Sequence, residues 1–470
     1  MSQPYGTVVL VDILDALDDD QRLVVESQGT PTAVIAGAGT GKTRTITHRL
    51  AYGAQIGAID PRATLALTFT TAAAQEVTQR LDQMGIVGVQ SRTFHSAALR
   101  QAQYFWPQVY HSSFPRIEDN RDLLISQACD RVGVKPTKYI INEIGSEISW
   151  AKQSNVLVEE YVDLASLHHR SVQHLDLDDV ADAMVAYEEA KQAACVIDLD
   201  DLLLCAVALL ATQSEVARKV HSTYRHFIFD EYQDLSPVQA RLVDLWVNRR
   251  PDVCVVGDPA QSIHSFAGAT SVYLETFSSA RQEAQTLNLT RNYRSTPQIL
   301  RVANSITRSG VHLKSMNPDG VDVHMCSYSD PLEESVAVAQ WLKGVNRQGV
   351  AFEDMALLFR TNAQAEAIRQ ILAEEKVPFV YLKADITERH PGVRLGTLHA
   401  SKGMEWEVVG LCGLHDGSVP HPLATTQERL AEERRLLYVG ITRARSQLRL
   451  SWPVAVDGRP TSGSRFLASL

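Results

Sequence analysis

The sequence predicts an α/β protein with two parallel sheets and a helical insertion in the first of its two α/β domains. Short runs rich in Val, Ile and Leu alternate with longer helical patterns from Pro31 onward, as is typical of doubly wound parallel sheets. Residues 101–195 interrupt this alternation with a polar, strand-poor helical periodicity. The alternation returns at residue 226, and a second α/β unit starts near Ala284. Two sheets therefore explain this pattern more simply than one very large sheet does.

Seven apolar runs bounded by turn residues are the clearest candidates for buried strands. In chain order they are Thr32–Ala36, Thr64–Thr68, His226–Phe229, 253–256, Met355–Phe359, Val393–Thr397 and 408–411. Within the insertion, the clearest helical patterns cover 119–132 and 178–194.

Composition excludes several classes of protein. The chain has 470 residues, 45% apolar and 21% charged, so it can bury the cores of roughly two to four domains and is neither fibrous nor disordered. The longest apolar stretch, 202–211, has ten residues, far fewer than the ~20 that span a bilayer. The acidic N-terminus lacks a basic signal region, and the six cysteines form no CxxC motif. We expect a cytoplasmic protein with buried, reduced thiols, no structural zinc and no membrane contact.

The charge distribution limits any contact with nucleic acid to a local surface. Residues 1–275 carry 22 basic and 35 acidic side chains, and residues 276–470 carry 23 and 20, for a net charge of −10. A histone-like coat on a polyanion is therefore excluded, because the overall field repels phosphate.

The segment AGAGTGKT, residues 36–43, has the composition of a phosphate-binding P-loop between a strand and a helix. Three glycines let backbone N–H groups close on the β-phosphate, namely Gly37, Gly39 and Gly41. Lys42 would bridge the β- and γ-oxygens, and Thr43 would ligate magnesium. Ala36 stands where the strict pattern has its first glycine, so a glycine-rich turn with a chance lysine is the alternative. ATP or GTP binding is favoured.

The acidic run DEYQD, residues 230–234, limits the classes of P-loop protein that fit the sequence. A P-loop alone is compatible with a kinase, a GTPase, an ATPase or a motor. Asp230, at the end of an apolar strand, is placed to hold magnesium, and Glu231 can orient and deprotonate water, a role that metabolite kinases do not need. A solvated acidic turn is the alternative, but its pairing with the P-loop favours a hydrolase.

A third strand end, VVGDPAQSIHSFAGA at 255–269, places Gln261 where it could hydrogen-bond the γ-phosphate. With this segment the sequence closely resembles the UvrD/Rep/PcrA-type superfamily 1A DNA helicases. The resemblance spans essentially residues 15–470 and implies two RecA-like P-loop domains.

The remaining motifs of the first domain can be compared with that family. LDDDQ at 17–21 looks like the Q motif, which implies that Gln21 reads the adenine edge, and Arg44 joins the expected nucleotide contacts. LTFTTAAAQEV at 67–77 resembles motif Ia and RTFHSAALR at 92–100 resembles motif Ib. The DNA contacts implied in the first domain are Phe69, Thr93, His95, His264 and Phe266.

The second domain carries three more motifs of the family. LTRNYRSTPQIL at 289–300 matches motif IV, RLGTLHASKGMEWEVV at 394–409 matches motif V, and EERRLLYVGITRAR at 432–445 matches motif VI. The resemblance implies that Tyr293 stacks on adenine, Glu405 lies near the ribose, and Arg294 and Arg443 reach the phosphates. It also implies DNA phosphate contacts by Thr397, His399 and Lys402. Taken alone, the arginines could be surface residues, and His95 or His399 could be core histidines.

Three departures from the family are visible. In motif III the family's Tyr, Trp and Arg are His264, Phe266 and Ala267 here, and the Asn-Lys pair of motif Ia is Thr71-Ala72. Phe266 keeps a base-stacking platform, while the lost cations should weaken phosphate contacts. The run 359–403 leaves no room for the family's 2B subdomain.

These observations predict a compact motor. Its domains are RecA-like 1A at 1–100 and 196–275, helical 1B at 101–195, and RecA-like 2A at 276–470. The expected activity is ATP- and Mg²⁺-dependent 3′–5′ movement on single-stranded DNA and at single/double-strand junctions, with hydrolysis in the interdomain cleft, in repair, recombination or defence. Two alternatives remain: a motor subunit that works only with a nuclease or repair partner, and an ATP-sensing DNA-binding scaffold that does not move.

Overall fold

The computed structural model describes residues 10–308, 311–382 and 391–468, which form two compact units. Among these residues, unit 1 contains 10–34, Thr43–Gly257 and His264–Leu287. Unit 2 contains Ile35–Lys42, Asp258–Ile263 and the described part of Asn288–Leu470. By their contacts, most of the P-loop and the segment around Gln261 therefore belong to unit 2.

The first part of the chain alternates strands with helices. Its elements are α1 Leu10–Asp15, α2 Asp19–Glu26, β1 Thr32–Ala36, α3 Lys42–Gln55, β2 Thr64–Thr68, α4 Thr71–Gln83, β3 Gln90–Thr93 and α5 Phe94–Tyr110. After the insertion, the elements are α10 Leu199–Thr212, α11 Ser214–Thr223, β6 His226–Phe229, α12 Pro237–Val247, β7 Val253–Gly257, α13 Val272–Glu275 and β8 Gln285–Leu289.

Six of these strands form the first parallel sheet, in the order β3-β2-β6-β7-β1-β8. The P-loop, the DEYQD run and the segment around Gln261 follow directly after β1, β6 and β7, three strands that lie side by side. The four strands predicted here are confirmed, with β7 one residue longer than expected. β8 extends this sheet to Leu289, later than the boundary near Ala284 that the sequence suggested, because its alternating QTLNL pattern fits an edge strand.

The insertion is helical, with one short strand pair. It consists of β4 Arg116–Ile117, α6 Asp122–Arg131, α7 Lys138–Gln153, α8 Tyr161–Leu167, α9 Leu177–Ala194 and β5 Val196–Ile197. Its helices pack around a core that includes the fully buried rings of Tyr161 and Tyr187.

The insertion returns to the sheet through a buried ion network. Lys152 Nζ lies 2.7 Å from Asp198 Oδ2 and 2.6 Å from Asp201 Oδ1, and Lys191 pairs with both carboxylates. Although burial opposes it, the two lysines hold the pKa of Asp198 below its usual range. Asp198, which opens the segment DLDDLL at 198–203, also caps α10, because it accepts from the Asp201 N–H at 2.8 Å.

Unit 2 contains the second parallel sheet, in the order β11-β16-β15-β12-β14-β13. The elements are β9 Arg291–Asn292, α14 Pro297–Ile306, β10 Lys314–Ser315, β11 His324–Tyr328, α15 Pro331–Arg347, β12 Met355–Phe359, α16 Asn362–Ala367, α17 Arg369–Glu374, β13 Phe379–Tyr381, β14 Val393–Thr397, β15 Trp406–Leu411, α18 Gln427–Ile441, β16 Ala444–Pro453, β17 Ala455–Val456 and β18 Arg459–Pro460. The predicted strands β12 and β14 are confirmed, and so is β15, which begins two residues earlier than expected. The fold class with two parallel sheets is also confirmed.

Alternation along the central strand β12 explains why this sheet is covered on both faces. Ala356 and Leu358 belong to one apolar cluster with α14 and α18, whereas Met355, Leu357 and Phe359 belong to another with α15 and α17. Successive side chains of a strand point to opposite faces, so a continuous apolar run serves two cores.

Two further expectations from the composition can be compared with the fold. Within the described ranges, no helix is both long enough and apolar enough to cross a bilayer. The expectation of uniformly buried thiols was wrong: Cys129, Cys254 and Cys412 are buried, but Cys205 and Cys326 are half-buried and Cys195 is exposed where it ends α9.

Candidate functional site

The P-loop has a backbone that only glycine adopts easily at two positions. Gly39 and Gly41 have φ angles of 70° and 81°, in the left-handed region that disfavours side chains. Between them, Thr40 closes the loop by donating its hydroxyl to the Gly37 carbonyl at 2.8 Å. Lys42 begins α3 directly after this turn, as the sequence predicted. The loop therefore presents consecutive backbone N–H groups at a helix N-terminus, the geometry that binds phosphate.

A buried asparagine in unit 2, which the sequence did not reveal, holds this loop. The Asn292 carboxamide is fully buried and donates to the Ala38 carbonyl at 2.6 Å, while its Oδ1 accepts from the backbone N–H groups of Arg294 and Ser295. The Tyr293 N–H donates to the Gly39 carbonyl at 2.8 Å. A Cβ at Gly39 would lie 2.6 Å from Asn292 Nδ2, so this loop also needs glycine for close packing. We refer to these bonds from Asn292 as the Asn292 clasp.

A second buried group in unit 2 links Gln261 to Arg443. Gln261 donates to Asp258 Oδ2 at 2.8 Å, and its Oε1 accepts from Arg443 Nη2 at 3.1 Å. Arg443 is only 1% exposed and also donates to the carbonyls of Val439 and Met404. The predicted γ-phosphate sensor and the predicted motif VI arginine are therefore in direct contact.

Arg294 and Glu405 are also brought together. The Arg294 Nε donates to Glu405 Oε2, and its Nη1 donates to the Thr442 carbonyl at 3.1 Å. Tyr293, beside them in the chain, has 41% of its surface exposed, and its stacking on adenine stays a prediction. In this structure Glu405 thus holds an arginine, whereas the resemblance implied a ribose contact.

Motif V lies closer to Gln261 than the sequence indicated. Lys402 Nζ donates to the Gln261 carbonyl at 2.8 Å, although the resemblance implied DNA phosphate contacts. Thr397 accepts from the Ala400 N–H and so shapes the same turn. Burial, with the nearby charge of Arg360, lowers the pKa of His399 to about 4 against the opposing Glu433.

In unit 1 the acidic run after β6 is held in a strained shape. Glu231 has a φ of 52°, uncommon for a residue with a side chain, and its N–H donates to Asp230 Oδ1 at 2.9 Å. Gln233 is fully buried and donates to Glu231 Oε2 at 2.6 Å. Gly257 at the end of β7 leaves the space for that carboxamide, since a Cβ there would collide with Gln233. Such fixed, uncommon conformations cluster at reactive sites.

The remaining predicted nucleotide contacts of unit 1 are part of local structure. Gln21 is buried and forms a capping box with Asp18 at the start of α2. Arg44 donates to the Ala16 carbonyl, and Thr43 occupies the second position of α3. Asp230 and Thr43 both offer oxygen ligands, the donor type that Mg²⁺ prefers.

The predicted DNA contacts of motif Ib lie at the start of α5, and Phe69 of motif Ia, which follows β2, packs against this helix. Thr93 caps this helix by accepting from the Ser96 N–H at 3.2 Å. The Phe69 ring packs 5.7 Å from Phe94, which is buried. Burial lowers the pKa of His95, although Asp200 opposes this effect, so the ring is neutral at pH 7.

Motif III ends in an exposed aromatic turn. Phe266 is 57% exposed, in the short 3-10 helix Ser265–Ala267, and His264 contacts its ring edge-on at 5.8 Å. An exposed ring held on a short turn is suited to stacking with a base.

Comparison with known proteins places these motifs in a family. Residues 17–282 match the UvrD/REP helicase N-terminal domain, and residues 287–387 and 382–454 match the UvrD-like helicase C-terminal domain. The ATP-dependent DNA helicase UvrD2 of Mycobacterium tuberculosis (strain H37Rv) is 32% identical over 571 aligned positions, which cover 97% of this chain and 81% of the relative.

Two other relatives are larger than this chain. UvrD1 of Mycobacterium tuberculosis (strain H37Rv) is 31% identical over 80% of this chain, and PcrA of Staphylococcus aureus (strain Mu50) is 29% identical over 78%. Each match covers 51% of the relative, so the chain corresponds to about half of the length of these two proteins. The matched domains and the identity to UvrD2 over nearly the whole chain agree with the motifs, and the chain belongs to the UvrD/REP helicase family.

Proposed function

We propose that the protein is an ATP-dependent DNA helicase that moves 3′ to 5′ along single-stranded DNA. The observation that carries the proposal is the hydrogen bond between Gln261 and Arg443, which joins two groups expected to respond to the γ-phosphate. The relatives described above, the ATP-dependent DNA helicases UvrD2, UvrD1 and PcrA, support the same activity. The direction of movement rests on the resemblance of motifs III, IV and VI alone.

The chemistry is in-line attack of water on the γ-phosphate of ATP. The backbone of the P-loop and Lys42 hold the phosphates, and Glu231 orients and deprotonates the attacking water. Its strained backbone and the bond from Gln233 fix its carboxylate in one orientation. Arg294 and Arg443 neutralise charge that develops on the phosphates, after exchanging their present partners for phosphate oxygens.

Magnesium fits the donors available in unit 1. The Thr43 hydroxyl and the Asp230 carboxylate would hold the ion, since both are hard oxygen donors and Asp230 is buried at a strand end. When bound, Mg²⁺ supplies positive charge that polarises the phosphates.

Single-stranded DNA would contact the first domain through Phe69, Thr93, His95, His264 and Phe266. The exposure of Phe266 supports a stacking role, because a base can reach the exposed part of the ring. Motif V residues Thr397, His399 and Lys402 are further candidates for contacts with the strand. The bond from Lys402 to the Gln261 carbonyl would then connect motif V with the phosphate sensor.

A compact architecture without 2B is the second part of the proposal. The two pieces that match the C-terminal domain meet at 382–387, which supports the absence of an intervening segment there. The alignment with UvrD2 spans 571 positions for a chain of 470 residues, so the relative contains residues without a counterpart here. The run 359–403, in which the sequence leaves no room for 2B, includes residues 383–390, which lie outside the described residues.

Two alternative functions follow from the same motifs. In one, the chain is the motor of an assembly with a nuclease or repair partner; in the other, it senses ATP and binds DNA without movement. Translocation by the isolated protein separates the proposal from both alternatives.

The ATPase test compares Lys42→Ala with Glu231→Gln. Lys42→Ala should lose nucleotide binding and turnover together, while Glu231→Gln should retain bound ATP and lose ~10²- to 10⁴-fold in rate. Glu215→Gln, which changes an acid 82% exposed on α11, is the matched control and should behave as the parent. Hydrolysis by Glu231→Gln at the parental rate would contradict the proposed base.

The motor test uses single-stranded oligonucleotides of increasing length. ATP turnover should rise with DNA length up to one binding site, and a translocation assay should detect release of a label at the 5′ end. DNA stimulation without translocation would favour the scaffold, and activity restored only by added cell components would favour the partner-dependent motor.

A further inference from the structure

The turn that carries Phe266 is a short 3-10 helix at Ser265–Ala267. Its backbone bonds close the turn locally, from Ala267 N–H to the His264 carbonyl and from Gly268 N–H to the Ser265 carbonyl. Ala267 offers only a methyl group. An exposed ring on such a turn stacks productively only if the main chain below it is fixed, because ordering the turn otherwise opposes binding.

The helical insertion supplies a support for this turn within unit 1. Arg170 Nη1 donates to the Phe266 carbonyl at 3.4 Å. At Gly268, which has a φ of 86°, a Cβ would lie 2.9 Å from Ser154 Oγ at the end of α7. The turn thus rests on α7 and on the segment after α8.

Arg170 is itself held by two side chains of the insertion, Glu147 and Trp150. Its Nε and Nη2 donate to the two carboxylate oxygens of Glu147 at 2.8 and 2.6 Å, and its guanidinium lies 4.4 Å from the Trp150 ring centroid. Glu147 is 5% exposed and also accepts from the Tyr161 hydroxyl at 2.9 Å. The bidentate ion pair and the stacking fix the plane of the guanidinium group. Lysine has no planar group and cannot form this arrangement.

We propose that Arg170 is a positioning residue for single-stranded DNA binding, which fixes the Phe266 turn from the helical insertion. The guanidinium transmits the rigidity of the buried Glu147–Tyr161–Trp150 group to the main chain of the stacking residue. This role rests on the proposed function of Phe266 in stacking on a base. It gives the insertion a part in DNA binding that does not require it to touch the strand.

The test is a double-mutant cycle with Phe266→Ala, Arg170→Lys and their combination, measured as the Kd for a fluorescein-labelled thymidine 20-mer at low salt. Phe266→Ala should raise the Kd by about 5- to 150-fold. Arg170→Lys should raise it by about 5-fold, because it loses the bond to the Phe266 carbonyl. In the Phe266→Ala background, Arg170→Lys should add less than about 2-fold, since the two residues act through one contact.

Two further variants separate positioning from folding. Glu147→Gln combined with Arg170→Met removes the buried pair without leaving one charge unpaired. This double variant should also raise the Kd less in the Phe266→Ala background than in the parent. Arg131→Met removes an exposed ion pair to Glu189 in the same insertion and should leave the Kd at the parental value. Thermal unfolding of each variant measures any loss of stability.

The outcomes are distinguishable. A parental Kd for Arg170→Lys, or an effect of the same size with and without Phe266, would overturn the role of Arg170 while Phe266 keeps its own. A parental Kd for Phe266→Ala would overturn the stacking function and the positioning role that depends on it.

Discussion

Replacing Asn292 tests whether the Asn292 clasp maintains the P-loop in its phosphate-binding shape. Asn292→Ala leaves three backbone groups without their partner: the Ala38 carbonyl and the N–H groups of Arg294 and Ser295. Asn292 and Ser295 are fully buried and Ala38 is 2% exposed, so water replaces these bonds poorly. Each unsatisfied buried group costs ~1 to 3 kcal/mol, and the total should be about 3 to 5 kcal/mol after relaxation of the site.

Part of that cost should appear as weaker nucleotide binding. If the free energy of ordering the loop on nucleotide binding rises by about 1.4 kcal/mol or more, roughly that of one hydrogen bond, the Kd for a fluorescent ATP analogue rises about tenfold or more. The measurement is a fluorescence titration without DNA, together with thermal unfolding. The control is Asn346→Ala, which removes the hydrogen bond from the Asn346 carboxamide to the Val350 carbonyl elsewhere in unit 2. It should lower stability without changing nucleotide affinity.

Asn292→Asp isolates the bond to the P-loop. Aspartate keeps an acceptor for the Arg294 and Ser295 N–H groups but sets a carboxylate oxygen against the Ala38 carbonyl. It should therefore weaken nucleotide binding more than it lowers stability. Parental affinity in both Asn292 variants, with a loss of stability like that of Asn346→Ala, would refute the reasoning.

Four other predictions concern DNA, pH and unwinding. Restoring a cation with Ala267→Arg should raise DNA-stimulated turnover; no change in steady-state rate would show that the coupling does not pass through position 267. Stimulation of the ATPase by single-stranded DNA should weaken as salt rises, because it depends on local phosphate contacts, and a salt-independent titration would contradict this. The lowered pKa of His399 means that the unfolded chain binds more protons than the folded one between pH 6.5 and about 4, so stability falls as pH drops. From pH 7 to 5 the loss should be about 2 kcal/mol, measured by denaturant unfolding, and His399→Gln should reduce that slope. A chain without 2B should translocate as a monomer but unwind poorly alone, and efficient, concentration-independent single-turnover unwinding of a long 3′-tailed duplex would refute this.

Much of the fold was predictable because burial on both sheet faces leaves a strong local signal. The continuous apolar run Met355–Phe359 predicts a strand without any other information, since every residue of a central parallel strand contacts a core. Gln285–Leu289 alternates polar and apolar residues, so its place in the first sheet depended on pairing with β1 rather than on composition. The exposure of Cys195 was not predictable from the sequence either. A cysteine at a helix end has the same local sequence signal as a cysteine in a core.

The amino-acid sequence by itself determined the chemical groups that we propose contact a nucleotide: a glycine-rich loop with Lys42, the carboxylates after β6, and the arginines of motifs IV and VI. These follow from residue type and spacing along the chain, which local backbone geometry converts into a loop or a helix start. Only the tertiary structure decided that Asn292 holds the P-loop, that Arg443 contacts Gln261, and that Arg170 supports Phe266. Each of these contacts joins residues at least 96 positions apart in the chain, and a hydrogen bond depends on distance and angle in space, which spacing along the chain does not encode.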